Sequence, residues 1–538
     1  MLLMGILVVP LLATGLERVE LGGRARCETR ETLAPSPAER VPAVPAGGSD
    51  RGERGTLLWQ YADPLAIPEH VSITPEGAYV WVFQETNSER LQLFRTSSNV
   101  PVWEFPLGLF GSPMVGSVDS WSGDSDTLVA ARIQDPVGGD TLFAFRPGSS
   151  VPVWRHGFTP GRTGAMIHFA GNGSLLVAGG YSYGPPQVVA LHAFAAATGD
   201  SLWGYEIVDR GELVGLDVSH DGDVILGVTR YDTYVFENGQ VRWSLVNPVE
   251  SDCGAMSGDG QIVCRGDYHG RLLTYTWTGS TYALKWAYHI PPTAGYYNWV
   301  MATDVSDDDA TIVIGSLEWV SSGYAGRVAL FDSSSAVPLW EYTRCGDAVA
   351  NVATTPDGAV TVCGSWGDIA NTLDDLLVFE RSSDSLLFSY GSPGSVFGVD
   401  VADDGACAAA GAKAVHARIM GSGGFVYSVE TGYFGGELVL TGMLMLDGLL
   451  LQWGPVPGAA AYWVYGASNA PHFVPGPGPG FDHRLAVLRP NVTSWLAANG
   501  IGEPGNDWTY LIMAVNAAPE ELARSNRVGE WDFAGDIP

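Results

Sequence analysis

The five residues GYSYG, Gly180–Gly184, have the G-x-S-x-G spacing that lifts a serine out of a strand-to-helix turn as a nucleophile. That chemistry needs a helix straight after the serine. Here Pro185-Pro186 and the strand-like run VVALHAF follow, with no helix, so Ser182 is not read as a nucleophile. Two oxygen-rich stretches, DSWSGDSD (Asp119–Asp126) and SDDDA (Ser306–Ala310), have the ligand chemistry of calcium, although the first lacks the loop spacing of an EF-hand. The ten histidines include no H-E-x-x-H and no pair at helical metal-ligand spacing. His168, His220 and His269 each fall near a turn or strand end, where a solvated or locally bonded imidazole is the plain reading. No glycine-rich phosphate loop is present. No residue receives a catalytic assignment, and no cofactor is expected beyond calcium as the one candidate ion.

Six cysteines, Cys27, Cys253, Cys264, Cys345, Cys363 and Cys407, are neither adjacent nor arranged as C-x-x-C. Zinc ribbons and thioredoxin-like redox chemistry are therefore disfavoured. In an exported chain Cys253–Cys264 would cross-link a hairpin and Cys345–Cys363 two neighbouring segments. Buried free thiols are the equal alternative.

Binding chemistry is better represented than catalysis. The longer connections are YHIPPTAGYYNWV (Tyr288–Val300), LEWVSSGYAG (Leu317–Gly326) and SWGDIANTLDD (Ser365–Asp375). They contain Tyr296, Tyr297, Trp299, Trp319 and Trp366, the candidate ligand-face aromatics. Aromatics beside polar groups suit a protein or carbohydrate ligand; packing between repeats is the structural alternative.

These loops belong to a repeat. A turn of the Asp-Gly kind appears at Thr74–Gly77, Ser122–Asp126, Ala170–Gly173, Ser219–Gly222, Ser257–Gly260, Ser306–Asp309, Thr355–Gly358 and Ala402–Gly405, mostly 47 to 49 residues apart. Each is flanked by short apolar or alternating runs, which is the signature of a β-hairpin. A second marker keeps its own register. Phe94, Phe145, Phe194 and Phe331 each stand nine residues before a Trp (Trp103, Trp154, Trp203, Trp340), and Phe379 stands nine before Phe388. Trp243 and Trp286 keep the arrangement with altered spacing. Each unit thus holds four strands and cannot bury both faces alone. Radial stacking of four-stranded blades solves that problem, so the period predicts an all-β propeller.

The last unit has no docking aromatic of its own, while TLLWQY (Thr56–Tyr61) is an orphan strand ahead of the first. The expectation is that it completes the last blade, making Trp59 the eighth docking aromatic. Eight blades are predicted over 56–435, with seven and one irregular unit as the alternative.

With these residues in view, the units resemble the repeat of the quinoprotein alcohol dehydrogenase-like propellers, whose docking motif ends in T-G-x-x-x-W. TGDSLW, Thr198–Trp203, matches it. The resemblance implies fold more than activity, because such enzymes pair adjacent cysteines with a quinone, a calcium ion and an aspartate base. This chain has no adjacent cysteines.

Beyond Gly442 the pattern changes. LLLQWGPVPGAAAYWVYGAS and, later, WTYLIMAVNAAPEELARSNRVGEWDF resemble a fibronectin type III sandwich, with Trp453, Tyr462 and Tyr510 at core-aromatic positions. PHFVPGPGPGFDH interrupts that match, and an unrelated small β-sandwich over 436–538 is the alternative.

The opening segment, residues 1–15, is apolar from Leu2 to Leu12 apart from Gly5 and reads as a secretory signal without its usual leading cation. Residues 16–55 read as a disordered linker rich in Pro, Gly and charge. A net charge of −31, with Lys285 and Lys413 the only lysines, argues against nucleic acid. No transmembrane anchor is expected in the mature chain. The sequence therefore predicts an exported, bacterial, monomeric recognition or scaffold protein that binds protein or carbohydrate. An enzyme on the propeller is the alternative, favoured by any cluster of paired carboxylates in the channel. An envelope assembly factor is the third reading.

Overall fold

The computed structural model describes residues 54–433 except 86–88, 108–114, 124–125, 136–138, 159–162, 183–184, 294 and 322. It also describes the strand-forming parts of 440–529 and a two-strand ladder at Val19–Glu20 and Arg26–Cys27. The expected signal segment and most of the linker lie outside the described residues. Among the described residues every regular element is a β-strand, and no helix is long and apolar enough to cross a membrane.

Between residues 56 and 430 the strands form eight antiparallel four-stranded sheets, the sixth carrying an extra short strand, Gly323–Ala325. Sheets 1 to 8 begin with the strands Ile67–Ile73, Val115–Ser122, Thr163–Phe169, Leu213–Val218, Ser251–Met256, Trp299–Val305, Val349–Thr354 and Val396–Val401. Each first strand lies against the first strand of the next sheet, and the eighth returns to the first. The ring encloses a central channel. Second strands are mostly buried, completely so in Val224–Thr229 and Val360–Ser365, because a neighbouring sheet covers each side. Fourth strands alternate, as in Ser98–Pro106, because one side meets solvent.

Closure uses the orphan strand. Thr56–Asp63 pairs with Gly424–Glu430 as the outer strand of sheet 8, so the two ends of the array share one ladder. The amides of Arg54 and Gly55 also donate to the Leu387 carbonyl at 2.9 Å, tying the entry point to sheet 7.

Local chemistry explains the repeat. In SHDG, the Ser219 hydroxyl donates to Asp221 at 2.7 Å, and Asp221 accepts the Asp223 amide at 3.0 Å. Ser257/Asp259, Ser306/Asp308 and Thr355/Asp357 repeat this. The fourth turn residue needs φ near +70°, which glycine supplies at Gly222 (φ 82°); Asp309 adopts it at φ 64°. Asp308 of SDDDA is therefore committed to its own turn.

The aromatic register has a matching cause. The indole N–H groups of Trp59, Trp103, Trp154, Trp286 and Trp340 donate at 2.7–3.0 Å to the carbonyls of Thr96, Pro147, Ala196, Ser333 and Arg381. Each acceptor stands two residues after the third-strand Phe of the next sheet, and each ring packs on that Phe. Trp203 lies on Phe236 and Trp243 on Tyr275, while Phe388 packs in the core shared by sheets 7 and 8.

Residues 440–529 form a three-stranded and a five-stranded sheet. Leu449, Leu451 and Trp453 of one face Tyr462, Val464, Tyr510 and Ile512 of the other in a single apolar core. Neither suggested disulfide is formed: Cys253, Cys264, Cys345, Cys363 and Cys407 are free and buried. Burial pushes the Cys264 thiol up to about 12, so these cysteines act as small core residues.

Candidate functional site

Because each sheet runs up and down in order, the ring has two unlike ends. The tight first-to-second turns and the docking turns lie at one end. The second-to-third loops and the connections between sheets lie at the other. All five candidate aromatics sit at this second end, on or between sheets 5 to 7.

They come together as a belt. Tyr296 stacks on Trp319 with ring centroids 5.0 Å apart, and Trp319 meets Trp299 edge-on at 6.4 Å and Tyr324 at 4.8 Å. Trp299 continues to Tyr268 at 5.0 Å, and Tyr297 stacks on His269 at 3.7 Å. Asn298 holds the first two of the belt's loops together, donating to the Pro291 carbonyl at 2.7 Å and accepting the Trp319 amide at 2.8 Å. Tyr296 and Tyr297 are 45% and 49% exposed, whereas Trp366 is 1% exposed and makes no hydrogen bond through its indole N–H. Trp366 therefore forms the floor of the belt and the two tyrosines its solvent edge.

Arginines bind the belt together. Arg418 lies over Tyr324 at 3.7 Å and Trp366 at 5.2 Å while donating to Asp347 at 2.9 Å. Arg327 is held by Glu318 at 2.6 Å and Glu341 at 2.9 Å. Arg230 is held by Glu212 at 2.9 Å, Glu250 at 3.4 Å and the Tyr268 hydroxyl at 3.0 Å. A cavity of about 150 Å³ opens between the loops of sheets 7 and 8, lined by Asp368, Ile369, Asn371, Pro393, Val415, His416 and Ile419. Ile369 and Met420 are exposed at its surroundings, at 66% and 53%.

The opposite end holds a constellation that the motif search missed. Asp119, Asp217, Asp304 and Asp400 occupy one first-strand position in alternate sheets. Each Oδ2 accepts an amide of the next sheet, from Phe169, Met256, Thr354 and Ile73, at 2.7–2.8 Å. Each Oδ1 accepts the amide of its own successor at 2.7–2.9 Å. Ser72, His168, Ala255 and Ala353 fill the position in the sheets between. His168 lies 3.6 Å from Asp217 and 3.9 Å from Asp119. Burial works against its charge, but these two carboxylates outweigh it and push the imidazole up to about 9. Burial, reinforced by Asp217 and Asp119 respectively, pushes Asp304 and Asp400 up to about 7. The signal was readable: LDVSHDG, TDVSDDD and VDVADDG share an Asp two residues before the turn.

Ser182 ends the strand Leu175–Ser182, and the chain returns as Val188–Ala195, so no nucleophile elbow forms. Among the described residues no three His, Cys, Asp or Glu side chains are grouped to hold a metal ion.

No protein-family model and no curated protein matches this chain. A solved structure does: Chaetomium thermophilum Sqt1 bound to the N-terminus of the ribosomal protein L10, with a TM-score of 0.51 at 14% identity, covering 68% of this chain and 97% of that one. Together with the ring of four-stranded sheets, this decides the architecture. The fold is a β-propeller. At that identity the likeness speaks for fold alone.

Proposed function

We propose that this chain is a non-catalytic recognition protein that holds a segment of another protein across the aromatic belt. We read its eight sheets as eight blades of the quinoprotein-like kind and its C-terminal sheets as a fibronectin type III-like sandwich serving as a spacer. Export outside a bacterial cytoplasm remains part of this proposal and rests on the apolar segment Leu2–Leu12.

The observation that carries the reading is convergence. Aromatics from three separate loops assemble at one end of the ring, with Trp299, Trp319 and Trp366 in one apolar cluster, and a cavity of mixed polar and apolar lining lies between the loops that follow. Packing between blades does not require Tyr296 and Tyr297 to stay half exposed. The neighbour Sqt1 engages a protein terminus, which supports a protein over a carbohydrate as the ligand class.

One observation favours the enzyme alternative: the channel does hold a ring of carboxylates. Against it, each of the four aspartates already spends both oxygens on backbone amides, which makes the ring a set of cross-links between blades.

The test is selection of a random peptide display library on the immobilised full chain and on its Tyr296→Ala/Tyr297→Ala variant. Peptides enriched by the native chain and lost with the variant are expected. Enrichment that ignores the variant, or binding confined to a glycan array, overturns the reading.

A further inference from the structure

Resting on that recognition reading, we propose that the segment bound across the belt is basic, presenting arginine or lysine side chains to Tyr296, Tyr297 and the acidic residues around them. The first argument is charge bookkeeping at the site. Each of the three belt arginines is already held by carboxylates, and two of them are held by a pair: Arg230 by Glu212 and Glu250, and Arg327 by Glu318 and Glu341. The third, Arg418, is held by Asp347. None of these guanidinium groups is left to bind an anion, and carboxylates are in excess. Glu250, at 46% side-chain exposure and 3.4 Å from Arg230, is the most open of the surplus acids.

The second argument is the aromatic geometry. Tyr296 and Tyr297 are each stacked on one neighbour, Trp319 and His269, and both residues are about half exposed. A half-exposed electron-rich ring, in a belt where five carboxylates stand against three arginines, attracts a cation more than an anion or a neutral chain. The belt already contains two instances of this recognition, Arg418 over Tyr324 and Trp366 and Arg230 over Tyr268. Chain-wide charge, −31, draws a basic partner towards the protein but does not choose the face; the tyrosines do.

The experiment measures fluorescence anisotropy of a short labelled peptide of alternating arginine and serine with the full chain, against its glutamate counterpart. Tyr296→Ala/Tyr297→Ala is expected to weaken arginine-peptide binding about tenfold, and the double Phe variant to retain it. Glu250→Gln is expected to weaken it as well. Asp384→Asn, which removes an exposed charge from a docking turn at the far end, is expected to change nothing. Equal weakening by Asp384→Asn and Glu250→Gln, or no effect of the tyrosine change, would mean bulk attraction and overturn the proposal. Preference for the glutamate peptide would overturn it too. If display-selected neutral or acidic peptides are nonetheless lost with the tyrosine variant, recognition at the belt stands and only its basic character falls.

Discussion

Trp154 and Gly199 are the two halves of one joint: the indole of sheet 2 lies so close over the glycine of sheet 3 that a Cβ there would sit 2.5 Å from the ring. Gly199 also has φ of +74°, and the same indole donates to the Ala196 carbonyl at 2.8 Å. In TGDSLW, then, the glycine receives the tryptophan of the previous blade and the tryptophan is passed to the next, where it meets Gly239.

Gly199→Val should therefore destabilise the fold through both backbone strain and ring displacement, by about 2 kcal/mol or more. Urea titration checks this. Gly157→Ala is the control, since a Cβ there meets nothing and the backbone is ordinary strand, and its midpoint should stay near the native one.

Ring closure depends on a single strand. Trp59 is 8% exposed, packs on Phe94 and bonds to Thr96. Trp59→Ala should cost about 3–5 kcal/mol, the usual range for emptying a core tryptophan. Limited proteolysis of that variant should cut first around Thr56–Asp63; first cuts within another blade would show that closure lies elsewhere.

The channel ring makes stability depend on pH. Asp304 and Asp400, near 7 when folded, bind protons more tightly than unfolded carboxylates at about 4. Their contribution is fully present below that lower value and is lost as pH rises through 7. His168, near 9 against about 6.5 unfolded, contributes fully below the lower value and loses it through 9. All three lower the melting temperature as pH rises. Asp304→Asn should flatten the acidic part of the profile and His168→Gln the alkaline part. Variants that track the native profile would contradict this assignment.

Calcium and pyrroloquinoline quinone should leave the melting temperature of the full chain unchanged. A resident cofactor at a hundred times its dissociation constant would add about 2.7 kcal/mol and raise it visibly. A rise that needs the quinone would return the ring aspartates to consideration as catalytic groups.

The repeat was legible because its causes are local. Ser219 and Asp221 build their turn from adjacent residues, and Phe194 and Trp203 keep a fixed offset because each pairs with a neighbour blade at the same height. The Trp59 strand was legible as the missing piece of a count. The belt was half legible: its five aromatics stood out in long loops, but Tyr268, Tyr324 and Arg418 join them only through loop paths that no periodicity encodes. The aspartate ring was missed for a different reason. Its members recur in every second repeat, so a comparison of successive units dilutes them.

The central claim, that recognition occurs at the aromatic end of the ring, is most directly tested by hydrogen–deuterium exchange of the full chain with and without a peptide selected on it. Protection is predicted in the loops around Tyr296, Trp319 and Trp366, with the turns at Ser219–Gly222 and Thr355–Gly358 unchanged. Protection confined to those turns, or to the C-terminal sheets, would contradict it.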